Sequence, residues 1–177
     1  YADISALVRE IVVLQQQALP DIHFALRTNL PGREGGSLFA RFDSQQIRQA
    51  LTNIIQNAAD SVVANPVENG AARNIDVFLF NRPETGEIGI SVSDSGAGFP
   101  KNVDLSRLME PYVTHKERGT GLGLAIVKKI MDDHRGNLIL GVPEWLKTMK
   151  SWHDEGGACV VLILPGDSGE GRLGVAA

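Results

Sequence analysis

Apolar residues recur along this chain with two periods, and the switch between them marks out the elements. Ile4, Leu7, Val8, Ile11 and Leu14 return every three or four positions, which predicts a helix over residues 3–17 that stops before Pro20. Residues 23–30 read as a strand, 32–36 as a turn cluster and 37–42 as a second short strand. The longest stripe is Ile47, Leu51, Ile54, Ile55, Ala58 and Val62, which predicts a helix over 43–64. Asp43 stands where it would cap that helix, and Gln46 three places on completes a capping-box pattern. Residues 75–80 and 87–93, the latter with alternating Ile88, Ile90 and Val92, flank a turn at 83–86 and read as a hairpin.

The second half is less regular. Residues 99–120 carry no sustained period beyond one helical turn near Leu105 to Met109, and a loop of that length in a compact domain is expected to be functional or mobile. A glycine-rich segment then leads into a helix running through His134 and closed by Gly136. Residues 137–142 and 158–164 read as a final strand pair. Between them, 143–157 holds Trp145, Leu146 and Trp152, expected to form a local hydrophobic plug rather than a docking patch. The expected organisation is one domain over 1–165 and a Gly-rich, disordered tail over 166–177.

Composition narrows the function classes. Seventeen basic against 21 acidic residues give a formal net charge of −4, which argues against a nucleic-acid surface as the main role. The lone cysteine, Cys159, excludes an internal disulfide framework and suits a reducing, cytoplasmic compartment. No apolar run reaches the roughly 18–20 residues of a membrane span. The chain begins at Tyr1 rather than Met, as expected of a piece of a longer protein whose other segments could lie in a membrane.

Three segments carry candidate chemistry. Asn53 and Asn57 lie one turn apart on the capped helix, their β-carbons about 5–6 Å from each other. An amide oxygen is a hard ligand suited to Mg²⁺; two exposed polar residues on a helix would look the same. Asp94-Ser95-Gly96-Ala97-Gly98 places a carboxylate at a strand end, where it can accept from an adenine amino group while the glycines let a planar ring approach. An ordinary side-chain-capped turn has the same spelling. Gly119-Thr120-Gly121-Leu122-Gly123-Leu124 opens a helix, where backbone N–H groups and the helix dipole favour phosphate. No Gly-Lys-Ser/Thr follows, and the third glycine falls one residue early for a dinucleotide fingerprint.

In this order the segments resemble the N, G1 and G2 boxes of the catalytic domain of sensor histidine kinases. Glu110-Pro111-Tyr112-Val113-Thr114-His115-Lys116 resembles the F box, and residues 156–165 resemble the family's last strand. The resemblance spans roughly 3–165, with wording similar to the nitrogen-regulation branch of NtrY-like or NtrB-like sensors. It implies an α+β fold: a two-layer α/β sandwich (the Bergerat ATP-binding fold), with a mixed sheet, helices on one face and a mobile ATP lid over 99–120.

The resemblance also implies roles. Asn57 would bind Mg²⁺ and through it ATP, with Asn53 beside it on the reaction side. Asp94 would read adenine above Gly96 and Gly98. Gly119, Thr120, Gly121 and Gly123 would face phosphate, with Leu122 and Leu124 anchoring the loop. Asp60 and Ser61 count with the nucleotide-binding positions, and Tyr112 and Lys116 belong to the lid, Lys116 in reach of the γ-phosphate. Arg118 is a weaker lid candidate. Cys159 falls where the family often has a threonine near adenine, but its residue type also suits a buried strand position. Asp60 is a departure, since many of these kinases carry a lysine there.

None of the four histidines has the acidic neighbour and downstream proline of the family's acceptor motif. The acceptor is therefore expected on a separate helical dimerisation domain, a response regulator is the indirect partner, and this chain is expected to be monomeric. Related ATPases carry a glutamate at the position of Asn53, and an amide lacks that basicity, which favours kinase over hydrolase. A serine kinase of the anti-sigma type and a degenerate nucleotide-binding docking module remain as alternatives.

Overall fold

The computed structural model describes residues 1–32, 36–65, 72–113 and 122–166. The elements run β1 (Ala2–Asp3), α1 (Ile4–Ala18), β2 (His23–Thr28), β3 (Phe39–Ala40), α2 (Ser44–Ala64), β4 (Asn74–Arg82), β5 (Glu87–Asp94), a 3-10 helix (Leu105–Met109), α3 (Gly123–Asp133), β6 (Asn137–Leu140), α4 (Glu144–Lys147) and β7 (Cys159–Leu164). Five strands form one mixed sheet in the order β2-β4-β5-β7-β6. Only β2 and β4 run parallel.

The strand period of two divides the buried residues between two faces. Ile75, Val77 and Leu79 of β4, Ile88, Ile90 and Val92 of β5, and Leu162 and Leu164 of β7 join one core with the helices. From the helices come Ile4, Leu7, Val8, Ile11 and Val12 of α1, the α2 stripe, and Val127, Ile130 and Met131 of α3. Burying each large aliphatic side chain contributes about 1.5–3 kcal/mol, so this layer dominates the stability. The mixed sheet with helices packed on it is the expected sandwich.

The other sheet face is covered as well. Phe78, Phe80, Cys159, Val161 and Ile163 form a second cluster with Leu146 of α4, and Trp145, Met149 and Trp152 pack against it. The Trp145 ring lies 5.7 Å from that of Phe80, and the Arg82 guanidinium sits 4.1 Å above the indole. Segment 143–157 is thus a plug on the outer face.

Several local expectations change. The strand read over 37–42 reduces to Phe39–Ala40, which pairs antiparallel with Ala2–Asp3 in a separate ribbon. The capping box on α2 is half made by Asp43, whose carboxylate accepts from Gln45 N–H at 2.9 Å and Gln46 N–H at 3.0 Å. Its own N–H donates to His134 Nε2 at 3.0 Å, in place of the Gln46 side chain. His134 must then carry its proton on Nδ1, which lies 2.7 Å from the Ile130 carbonyl, and so ties the end of α3 to the start of α2. At the close of α3 the left-handed residue is Arg135, with φ +54°, not Gly136. Gly136 is required by close packing, because a β-carbon there would stand 2.3 Å from the Ile163 carbonyl oxygen.

The start of the edge strand β2 is covered by a side chain. Gln16 Nε2 donates to the Ile22 carbonyl at 2.8 Å, and Gln16 Oε1 accepts from Phe24 N–H at 3.0 Å. The tail over 167–177 lies outside the described residues.

Leu146 has no exposed surface and anchors the plug. Leu146→Ala is expected to cost about 2–5 kcal/mol in a urea titration, as a large-to-small change in a packed core does. A cost below about 0.5 kcal/mol would mean the plug is not part of the cooperative fold.

Candidate functional site

The site is built on the side of α2 next to its buried stripe. Asn53, Asn57 and Ser61 are four residues apart, so they stack along one face, and all three are half-buried. Near the middle of this row begins α3: a β-carbon on Gly123 would stand 3.6 Å from Asn57 Nδ2 and 3.9 Å from Asn57 Oδ1. The sequence-predicted N box and G2 helix start are therefore adjacent. Leu122, the N-cap of α3, makes no side-chain cap, whereas Asp3 and Asp43 cap α1 and α2. Leu124 is half-buried in the first turn.

At the other end of the row stands Asp94, the last residue of β5, 3% exposed and on the helix-facing side. Its Oδ1 accepts from Gly96 N–H at 2.9 Å and Ala158 N–H at 3.3 Å, with Ser61 Oγ at 3.5 Å. Its main chain is fastened too: Asp94 N–H donates to the Ala158 carbonyl at 2.9 Å, and Gly157 N–H donates to the Asp94 carbonyl at 2.8 Å. The following turn is pinned by Ser95, whose N–H donates to the Asn74 carbonyl and whose Oγ accepts from Asn74 N–H at 2.9 Å. Burial pushes the Asp94 carboxyl above its ordinary value of 3.8, opposed by the Gly96 and Ala158 N–H groups and the Ser61 hydroxyl.

Two glycines here are set by space. A β-carbon on Gly96 would meet Ser61 Oγ at 2.0 Å, and one on Gly157 would meet Asp94 Oδ1 at 2.5 Å. Gly98, with φ +84°, turns the chain onward. Gly157 and Ala158 were not among the expected site residues. The Gly156-Gly157 pair before the last strand was their only sequence signal, since what they contribute is main chain.

The remaining expected residues divide. Asp60 is exposed on α2, and its Oδ1 accepts from Gln56 Nε2 at 3.0 Å. Tyr112 is 79% exposed with φ +65°, beyond a 3-10 turn whose Leu108 is buried and whose Met109 packs on the main core. Cys159 is 2% exposed within the outer-face cluster, on the opposite side of the sheet from the Asp94 side chain, and burial pushes its thiol up to about 12. Lys116, Arg118, Gly119, Thr120 and Gly121 lie outside the described residues. Among the described residues no group of three or more His, Cys, Asp or Glu could hold a metal ion. A hard cation here would rest on the Asn57 amide and on ligand oxygens.

Residues 42–168 match the family model described as histidine kinase-, DNA gyrase B-, and HSP90-like ATPase. The chain belongs to this ATPase family. It is 38% identical over 155 residues to nitrogen regulation protein NtrY of Azorhizobium caulinodans, which covers 84% of this chain and 19% of that protein. The chain thus spans about a fifth of that relative's length. The catalytic domain of histidine kinase ThkA superposes with a TM-score of 0.68 at 24% identity, covering 93% of both chains. Full-length ShkA in complex with AMPPNP superposes with a TM-score of 0.67 at 23% identity, covering 93% of this chain and 30% of that one. These two likenesses show the shared fold. As a member of the family the chain is an ATP-binding domain of the histidine kinase type.

The raised Asp94 carboxyl has a sign that can be tested. The folded chain holds that proton more tightly than the unfolded chain, so the group's contribution to stability is complete below its unfolded value of 3.8 and is lost as pH rises through the folded one. Asp94→Asn is expected to flatten the fall of Tm as pH rises above the unfolded value, and to reduce adenine-nucleotide binding. An unchanged profile in differential scanning calorimetry would contradict the direction of the shift.

Proposed function

We propose that this chain binds MgATP and passes the γ-phosphoryl group to a histidine on a separate helical dimerisation domain of a two-component sensor kinase. The observation that carries the proposal is the bracketing of one helix face. Asn57 lies beside the start of α3, while Ser61, one turn on, approaches the buried Asp94 carboxylate. A phosphate-favouring helix end and a base-reading acid thus flank a single row of polar side chains.

Phosphoryl transfer demands positioning and charge neutralisation more than covalent participation by the protein. Asp94 would accept from the adenine amino group, and Gly96 keeps side-chain bulk away from the ring. The start of α3 would face the phosphates with the positive end of its dipole. Mg²⁺, when bound, neutralises phosphate charge, and Asn57 is the described residue whose oxygen suits it. Asn53 can orient a group by hydrogen bonding but cannot take a proton, so activation of water is disfavoured. Lys116 is the lid residue proposed to meet the γ-phosphate.

The described histidines are poor acceptors. His23 lies on the edge strand, His134 uses both ring nitrogens, and His153 stands 3.5 Å from the Glu155 carboxylate. This supports an acceptor outside the described residues; a response regulator as the next carrier, a monomeric domain and a place on the cytoplasmic side complete the proposal. Among the described residues no helix is long and apolar enough to cross a membrane.

Titration calorimetry with a non-hydrolysable ATP analogue tests the reading. Binding by the native chain is expected to strengthen with Mg²⁺. Asn57→Ala is expected to weaken MgATP binding at least about tenfold while changing stability by less than about 1 kcal/mol. A variant that binds MgATP as the native chain does would sink the metal-ligand assignment. Asn53→Glu supplies the missing base and is expected to raise slow ATP hydrolysis in a phosphate-release assay; an unchanged rate would undercut the argument from basicity.

A further inference from the structure

Asp94 is held from across the sheet by a segment that begins on the opposite face. Ser93 precedes Asp94 on β5, so its side chain projects to the outer face, between Asp76 of β4 and Cys159 of β7 in the ladder. It is 1% exposed, and its Oγ accepts the Glu155 N–H at 3.2 Å. The Glu155 side chain is 11% exposed, with His153 Nε2 at 3.5 Å. From there the chain turns at Gly156, whose N–H donates to Asp154 Oδ1 at 2.8 Å. It then crosses to the helix-facing side, where the Gly157 and Ala158 N–H groups meet the Asp94 carbonyl and carboxylate.

We propose that Ser93 is a positioning residue for nucleotide recognition, holding by the Glu155 N–H on the outer face a strap over 155–158 that fixes the Asp94 carboxylate on the inner one. The proposal rests on the reading of Asp94 as the acceptor for the base. The strap's path is short. Two residues, Gly156 and Gly157, separate the Ser93 anchor at Glu155 from the Ala158 N–H on Asp94 Oδ1, so slack at the first is passed to the second. There is no space for adjustment at Gly157, where a β-carbon would lie 2.4 Å from the Asp94 carbonyl oxygen and 2.8 Å from Gly96 N. Neither Ser93 nor Glu155 would touch nucleotide, because the sheet lies between them and the α2 face.

The test uses the chain as it stands and two variants. Ser93→Ala deletes the hydroxyl that receives the Glu155 N–H, whereas Glu155→Ala keeps that N–H and its partner. Amide hydrogen exchange by NMR, without nucleotide, is expected to speed up about tenfold at Gly157 and Ala158 in Ser93→Ala and much less in Glu155→Ala, with Val92 and Val161 unchanged. Calorimetry with AMPPNP and a GTP analogue is expected to show a three- to tenfold loss for AMPPNP in Ser93→Ala, about the worth of one hydrogen bond, and a narrower preference over the GTP analogue. Inorganic tripolyphosphate, which has no base, is expected to bind all three chains alike.

Native exchange rates at Gly157 and Ala158 in Ser93→Ala would overturn the proposal. So would faster exchange with an undiminished base preference, or an equal loss for tripolyphosphate and AMPPNP. If the native chain bound neither nucleotide, the base-acceptor reading would fall, and with it the role in recognition, while the exchange data would still decide whether the strap holds Asp94.

Discussion

The packing of α2 against the sheet is the constraint on which the site depends. Its stripe from Ile47 to Val62 is fixed on the main core, with Ile54 and Ile55 each 1% exposed. A helix clamped along one face has no freedom to rotate, so the adjacent polar positions are aimed as a consequence. The free energy that holds Asn53, Asn57 and Ser61 in a row comes from the apolar residues between them rather than from any polar contact. This separates stability from chemistry within one element, so amides can be exchanged for other polar residues without loosening the frame.

Asp94 makes the opposite compromise. A carboxylate is seldom buried, and its desolvation is opposed by N–H donors brought from two separate loops and by the Ser61 hydroxyl of α2. The same burial gives it force as an acceptor, since an incoming donor meets little competing water. His134 plays a quieter part, coupling the end of α3 to the cap of α2. Movement of α3 therefore cannot leave the start of α2 undisturbed.

The long-period features were legible in the sequence. The α2 stripe, the hairpin and the glycine-rich helix start were all placed within a few residues. Weaker patterns misled in physical ways. Leu14 was read into the buried face of α1 but is 50% exposed, while Val12 is 8% exposed, because packing of a helix at a sheet edge shifts its buried face. The β1 and β3 ribbon pairs two residues with two, too short for any period to register. At the site, side chains with distinctive chemistry announced themselves, whereas Gly157 and Ala158 act through N–H groups that every residue but proline carries. Their partner Asp94 lies more than sixty positions away, a separation that local spacing does not encode.

One feature of the sheet bears on behaviour at high concentration. An outer strand presents a row of main-chain donors and acceptors that a strand of another molecule can template on. On β2 the Gln16 amide occupies the Ile22 carbonyl and the Phe24 N–H, imitating the peptide unit of a neighbouring strand. A second chain adding there would first have to break both bonds, so the glutamine acts as a guard against edge-to-edge aggregation.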